Sequence, residues 1–394
     1  MRTGGSNPSP SSAESAANLK TTSTFRCRVA LPSLDCAVSQ RKWWEQVKRY
    51  QSSVLCRVRR AIPFLSFDLG TMREDPLFYA DKRSGLPAYC VPKCAKSRRR
   101  TMKVLLTGGS GNLGHALVPK LLDKGDTPII LDIRAPLHLQ KGAVFIEGSI
   151  LDRPKLTEIF RGCDCIVHIA AWHGIHEDRG EKNPHDFFDL NVRGTFEVFE
   201  GAASAGIDKI IFISTTSVYR PDTRYGSSKI LAELIAEDYR KHRHMNVITL
   251  RPRGFIPYWD HDVYAKYSDW ARWFWKGAVH IDDVAAAVIL SLDLVSQRQI
   301  GQRLVLTLDS AYEYTDADFD HWDAEGPGST FRKYYSEYHD LALSYGLDPA
   351  VKPTKLDISE TVRWLGYKPS YSLANLLSEL AAYGDTGPPQ LIEA

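Results

Sequence analysis

Apolar residues in this chain fall into short solid runs, separated by stretches in which they recur at every third or fourth position. The runs predict strands near 103–107, 128–132, 143–146, 165–169, 209–214 and 246–250. The recurring pattern predicts helices near 112–124, 153–161, 184–205, 225–242 and 282–295. In the first of these, residues 113, 117, 118, 121 and 122 make one apolar stripe at helical spacing. Strand and helix alternating in this way argue for an α/β fold, a parallel sheet with helices on both faces. Right-handed crossovers then bring every strand's carboxyl end to one edge, where ligands bind.

After Arg251 the pattern changes. Tyr258, Trp259, Tyr264, Tyr267, Trp270, Trp273, Phe274 and Trp275 crowd together, and the last clear helix is expected at Ser372–Tyr383. Residues 267, 270 and 274 fit the core stripe of one helix. Asp282-Asp283 precedes an apolar run and suits a helix N-terminus. The partition this suggests is a basic, disordered extension over 1–101, an α/β core over 102–250 and a C-terminal lobe over 251–394, which also holds late core elements.

Charge supports the first boundary. The chain of 394 residues carries +3 overall, but residues 1–101 hold 19 Lys/Arg against 7 Asp/Glu. The head is therefore +12 and the remainder −9. Between Arg41 and Phe67 apolar residues recur at helical spacing with basic ones interleaved, so the head reads as a targeting helix such as an organellar transit segment, as a membrane-surface helix, or as an extension that never packs. No nucleic-acid module accompanies the basic charge. No run of 18 apolar residues is present, so no transmembrane helix is expected. Only Cys163 and Cys165 of the seven cysteines lie in the body, which argues for buried thiols and a reducing, cytoplasmic setting.

Thr107-Gly108-Gly109-Ser110-Gly111-Asn112-Leu113-Gly114 joins the first strand to the first helix. Such a turn aims backbone N–H groups and a helix N-terminus at whatever lies above it, which suits a pyrophosphate. Gly108 permits the turn, Gly111 the approach of a cofactor and Gly114 the packing of helix on strand. Asp132 ends the second strand about 20 residues on, where an acid accepts from a ribose 2′-OH. It favours NAD over NADP, although Arg134 beside it suits a 2′-phosphate.

A second segment, Ser214-Thr215-Thr216-Ser217, delivers hydroxyls at a strand's carboxyl end. Tyr225 and Lys229 follow, four residues apart on one helix face. Taken alone the pair also fits a solvated helix face; the hydroxyl cluster and the glycine turn favour chemistry. An ammonium ~4 Å from the phenol contributes about 4 kcal/mol at an effective dielectric of ~20. That is roughly three pKa units, enough to bring Tyr225 near 7 as a proton acceptor.

Together these residues resemble the extended short-chain dehydrogenase/reductases of the NAD-dependent epimerase/dehydratase type, over residues 103 to about 383. His168-Ile169-Ala170-Ala171, Asn191-Val192-Arg193-Gly194-Thr195, Leu250-Arg251-Pro252, His280-Ile281-Asp282-Asp283-Val284 and Leu365-Gly366-Tyr367-Lys368-Pro369 resemble further landmarks in the family's order. The resemblance implies a Rossmann-type doubly wound parallel sheet with a small C-terminal substrate-binding lobe. It implies Thr215, Tyr225 and Lys229 as the catalytic set. For the cofactor it implies Gly108, Ser110, Gly111, Asn112, Leu113, Gly114, Asp132, Ser149, Ile150, Ala170, Ala171, Asn191, Tyr225, Lys229 and Pro252. No metal is expected: His173 and His176 lack a third ligand of recognisable spacing and are better placed to line the nicotinamide and substrate entrance.

Three departures bear on the substrate. Only ten residues lead from Thr215 to Tyr225, Arg220 stands where the family often has Gly, and Ser149 where it often has Asp. Arg251 and His280 are 29 residues apart, short for a nucleotide-sugar lobe. The main expectation is hydride transfer at a hydroxyl-bearing carbon of a sugar or sugar nucleotide, in a possible homodimer. The alternatives are a compact sugar or uronate dehydrogenase that releases NADH, and a non-catalytic NAD-sensing protein.

Overall fold

The computed structural model describes residues 101–219 and 222–389. The head to residue 100 and Arg220 lie outside the described residues, and the expectations on them rest there. Seven strands among the described residues form one parallel sheet: β1 (Lys103–Thr107), β2 (Thr127–Asp132), β3 (Val144–Glu147), β4 (Cys165–His168), β5 (Lys209–Ile213), β6 (Asn246–Pro252) and β7 (Leu304–Leu308). Their spatial order is β3-β2-β1-β4-β5-β6-β7. The helices that frame the sheet and the C-terminal core include α1 (Asn112–Asp123), α2 (Arg153–Ile159), α3 (Gly194–Ser204), α4 (Arg224–His242), α5 (Tyr267–Trp275), α6 (Ile281–Gln297) and α7 (Leu373–Tyr383).

Strand side chains alternate between two cores, as period-two geometry requires. Val104, Leu106, Val167, Ile211, Ile248 and Leu306 join α1 and α6 on one face. Leu105, Ile166, Ile210, Phe212 and Val247 join α2, α3 and α4 on the other. A sheet buried on both faces explains why the strands read as solid apolar runs rather than as alternation. Strand order reverses between β1 and β4, and this reversal opens a crevice at their carboxyl ends. The Rossmann-type arrangement expected from the sequence is the one observed.

Two elements differ from expectation. β7 is not among the expected strands; Leu304, Leu306 and Leu308 are buried while Val305 and Thr307 are half-buried, so this edge strand lacks the fully buried run of the central ones. The helix expected over 184–205 is instead a helical run from Pro184 to Ser204, with a wider π-type turn over Phe188–Arg193. Such turns recur where a helix serves a site. Here it carries Asn191.

A third, aromatic core lies in the C-terminal part. Tyr267, Trp270 and Phe274 of α5 are buried there together with Tyr314, Phe331, Tyr335 and Tyr371. Asp283 lies in the first turn of α6, as expected, and spends its hydrogen bonds on another segment. Its carboxylate accepts from the Ser370 N–H and hydroxyl at 2.8 Å each and from the Tyr371 N–H at 3.1 Å, fastening the start of α6 to the segment before α7. Cys163 and Cys165 are free thiols, and burial pushes them up to about 11 and about 12.

Candidate active site

The glycine turn is built for close approach. Gly108 has φ +69°, and a Cβ there would lie 2.7 Å from the Ala170 Cα, because the end of β4 folds over β1 through Ile169 and Ala170 N–H donors to the Thr107 carbonyl. A Cβ on Gly114 would sit 2.1 Å from the Gly109 oxygen, so α1 packs directly against the turn. A Cβ on Gly111 would meet only the Gly108 oxygen at 3.4 Å. Gly111 takes the N-cap position of α1 without any side-chain cap. The helix N-terminus beneath thus retains bare donors of the kind that hold a phosphate. Asp132 accepts from the Ser110 N–H at 3.1 Å and the Arg134 N–H at 3.2 Å, which fixes the acid beside the turn.

Behind the crevice runs a buried hydrogen-bonded chain. The His168 ring meets the Thr107 hydroxyl at 2.7 Å through Nδ1 and the Thr195 hydroxyl at 3.0 Å through Nε2. Burial, then the nearby Lys229 charge, pushes His168 down to about 3, so the ring is neutral. Asn191, expected at the cofactor, commits its carboxamide to the protein. It donates to the Trp172 carbonyl at 2.8 Å and the Ser228 hydroxyl at 2.9 Å, and accepts from the Trp172 N–H at 2.8 Å. Ser228 passes the chain on by donating to the Tyr225 carbonyl at 2.8 Å.

Thr215, Tyr225 and Lys229 meet at the carboxyl end of β5. The Tyr225 phenol is hydrogen-bonded to the Thr215 hydroxyl, and its ring faces Gly174, where a Cβ would lie 3.6 Å from Cδ1. The expectation of a phenol lowered by its lysine is corrected here. Burial pushes Tyr225 up to about 12, against the pull of the Thr215 bond. Lys229 donates to the Ile213 carbonyl at 2.7 Å and lies 4.6 Å from the Phe212 ring centroid. The lysine shifts as well: burial lowers it to about 7, with Glu233 one turn on opposing. Glu233 is itself held by Ser214 at 2.6 Å and by Arg251 through two bonds of 2.6 and 2.8 Å.

The remaining expected residues divide. Ala170 lies against Gly108, with Ala171 next in the chain, and the Ser110 hydroxyl donates to the Arg134 carbonyl at 2.7 Å. Leu113 and Ile150 have core-directed side chains, and Pro252 is a buried β6 position paired with Leu308. A cofactor would meet these three through backbone alone. Ser149 accepts the Leu151 N–H at 3.2 Å. Asn112 reaches across to the Asp260 carboxylate at 2.8 Å, in the loop after β6. His173 and His176 pack edge to face at 4.3 Å, and among the described residues no group of three or more His, Cys, Asp or Glu gathers as for a metal.

Two residues outside the expected set matter. Asp260 is one. Glu177 is the other: it accepts from the Arg224 and Tyr225 N–H groups at 3.0 Å each, and so caps α4. Burial would raise its pKa, but these amides and the Arg224 guanidinium outweigh that and lower it. No periodicity links positions 47 or 148 residues apart, so neither contact had a signal in the sequence.

A family model described as the NAD dependent epimerase/dehydratase family matches residues 104–262. A UDP-glucose 4-epimerase of Klebsiella pneumoniae is 32% identical over 130 residues, covering 30% of this chain and 92% of the relative. The chain belongs to the NAD-dependent epimerase/dehydratase family. Another relative, an L-arabinose 1-dehydrogenase (NAD(P)(+)) of Haloferax volcanii, is 29% identical over 181 residues, covering 38% of this chain and 65% of the relative. The chain spans about half the length of several curated epimerase relatives it matches, 49% and 55% in two of them. In fold, this member of the family resembles the UDP-glucuronic acid 4-epimerase of Bacillus cereus, solved in complex with NAD. The TM-score is 0.52 at 21% identity, covering 70% of this chain and 96% of that one.

Proposed function

We propose that the protein is an NAD-dependent enzyme that acts at a hydroxyl-bearing carbon of a sugar or nucleotide sugar. The observation that carries this reading is the meeting of Thr215 and Tyr225 at the β5 edge, with Lys229 one turn below. The fit of the cofactor rests on the glycine cradle: Gly108 and Gly114 leave no room for a Cβ, while the outer side of Gly111 is open. Gly108, Ser110, Gly111 and the α1 N-terminus would hold the pyrophosphate, and Asp132 the adenosine ribose. NAD, when bound, supplies a hydride acceptor and a positive ring.

The chain's own residues manage the proton. Thr215 holds the substrate oxygen through the hydroxyl it now shares with Tyr225. Tyr225 takes the proton from that oxygen. At about 12 the phenol is almost wholly protonated at neutral pH, so it accepts a proton only where nearby positive charge favours the phenolate. The Lys229 ammonium, one turn on along α4, would favour the phenolate.

The short passage from Pro252 to α6, holding one loop and α5, favours a second reading, a compact sugar or uronate dehydrogenase. Incubation with NAD and UDP-glucose, UDP-glucuronate, L-arabinose or a free uronate, followed at 340 nm, separates the two. Steady NADH accumulation supports the dehydrogenase; altered product stereochemistry at constant absorbance supports the epimerase. A protein that binds NAD and does neither with any sugar fits the sensing alternative.

The assembly is read as a homodimer across α3 and α4, which pack side by side and leave Phe196, Leu231 and Leu234 44%, 43% and 60% exposed. No helix among the described residues is long and apolar enough to cross a membrane. Two free thiols fit a reducing compartment such as the cytoplasm, with an organelle as the alternative if residues 1–101 act as a transit segment.

A further inference from the structure

The first turn of α4 carries Tyr225, and how that turn is held decides where the phenol points. Its leading amides are divided between two acceptors. Thr223, at the N-cap, takes the Gly226 N–H through its hydroxyl at 3.0 Å and the Ser227 N–H through its carbonyl at 3.0 Å. The Arg224 and Tyr225 N–H groups go elsewhere, one to each oxygen of Glu177, 3.0 Å in both cases. Glu177 is 47 and 48 residues upstream, in the short helix Gly174–Asp178 that follows β4. The Arg224 guanidinium adds a longer contact at 3.4 Å to the same carboxylate. With 16% side-chain exposure, Glu177 is sheltered, whereas Arg224 at 58% is not. The backbone bonds are therefore the better protected part of the arrangement.

The segment around Glu177 touches the site at further points. Gly174 faces the Tyr225 ring, and Trp172 exchanges two hydrogen bonds with Asn191, which leads through Ser228 to the Tyr225 carbonyl. Arg179, just after the short helix, donates to the Asp262 carbonyl at 2.5 Å in the loop after β6. One short segment thus binds the Tyr225 N–H, faces its ring, reaches its carbonyl only through Asn191 and Ser228, and also touches the loop after β6.

We propose that Glu177 is a positioning residue for Tyr225: its carboxylate, holding two consecutive amides of the helix's first turn, fixes the direction in which the phenol meets Thr215. This rests on Tyr225 being the proton acceptor. A carboxylate suits the task because both oxygens accept. A glutamine offers one acceptor and turns an N–H₂ group toward the second amide.

The test uses the full chain with Glu177→Ala and Glu177→Gln, and three readouts. Amide hydrogen exchange in the free protein comes first: Glu177→Ala is expected to speed exchange at Arg224 and Tyr225 at least tenfold, with Gly226 changed less than threefold. NAD titration by calorimetry comes second, with stoichiometry unchanged and Kd within threefold. Turnover of whichever sugar in the 340 nm panel serves the wild type comes third, with kcat falling at least tenfold and Glu177→Gln recovering part of the loss. Unchanged exchange and unchanged kcat in Glu177→Ala would overturn the proposal. So would loss of NAD stoichiometry in parallel with kcat in both variants, which assigns Glu177 to general stability. If Glu177→Ala does not fold, Glu177→Gln carries the same readouts. Tyr225→Phe run alongside separates the two levels: turnover in that variant removes the underlying reading, whereas an inactive Tyr225→Phe beside a fully active Glu177→Ala removes only this proposal.

Discussion

Lys229 directs its ammonium to the Ile213 carbonyl, 2.7 Å away. The lysine is buried to 3% exposure. Its proton is held by one backbone oxygen and one aromatic face, with a carboxylate a helical turn beyond. A charged amine so placed is costly, and its lowered pKa expresses that cost.

The consequence for stability has a definite sign. Lys229 titrates at about 7 in the folded chain against 10.5 when free, so between these values the unfolded chain binds more protons. Stability therefore rises with pH through that window and is lowest below it. Thermal midpoints of the wild type are expected to climb from pH 7 to about pH 9.5. Those of Lys229→Met should stay flat over the same range, and a parallel rise in both would remove Lys229 as the cause.

Gly114→Ala places a methyl 2.1 Å from the Gly109 oxygen, where only backbone could give way. Destabilisation of about 1–3 kcal/mol is expected in chemical denaturation. NAD affinity should fall as well, since the turn itself must shift.

Asp132 is fixed by two amides at the end of β2, and its charge disfavours a 2′-phosphate. Calorimetry is expected to give at least about tenfold tighter binding of NAD than of NADP, one to two charged contacts' worth. Asp132→Ser should narrow that ratio. Equal affinities in the wild type would assign the choice to Arg134 instead.

Leu234, 60% exposed on α4, tests the dimer. Leu234→Glu is expected to yield a monomer by sedimentation equilibrium where the wild type is a dimer. A monomeric wild type would remove the interface from the account.

The parts of this molecule that were legible in its sequence share a local cause. Val104-Leu105-Leu106 reads as a strand because both faces of the sheet are covered, and the Gly108–Gly114 turn reads as a cradle because backbone closeness demands glycine. Tyr225 and Lys229 were found because four residues make one helical turn. What was not legible depends on partners far apart in the chain. Glu177 is ordinary in its own neighbourhood and acquires meaning only against Arg224 and Tyr225. Asn191 was placed at the cofactor because its motif pointed there, yet its carboxamide bridges Trp172 and Ser228. The direction of the Tyr225 shift was misjudged for a related reason. Sequence spacing puts Lys229 on the same helix face but says nothing of the Ile213 carbonyl that claims it. The four leucine and valine side chains of β7 make an edge strand in which buried positions alternate with half-buried ones, so it lacks the fully buried run that marks the central strands.

The most direct test of the central claim is Tyr225→Phe, which deletes one oxygen and leaves the ring beside Gly174. The account expects NAD affinity, measured by calorimetry, to stay within about threefold, because the cradle is elsewhere. It expects turnover of the sugar to fall by about 10²-fold or more, the usual contribution of a positioned proton acceptor. Turnover at the wild-type rate with NAD bound as before would contradict it.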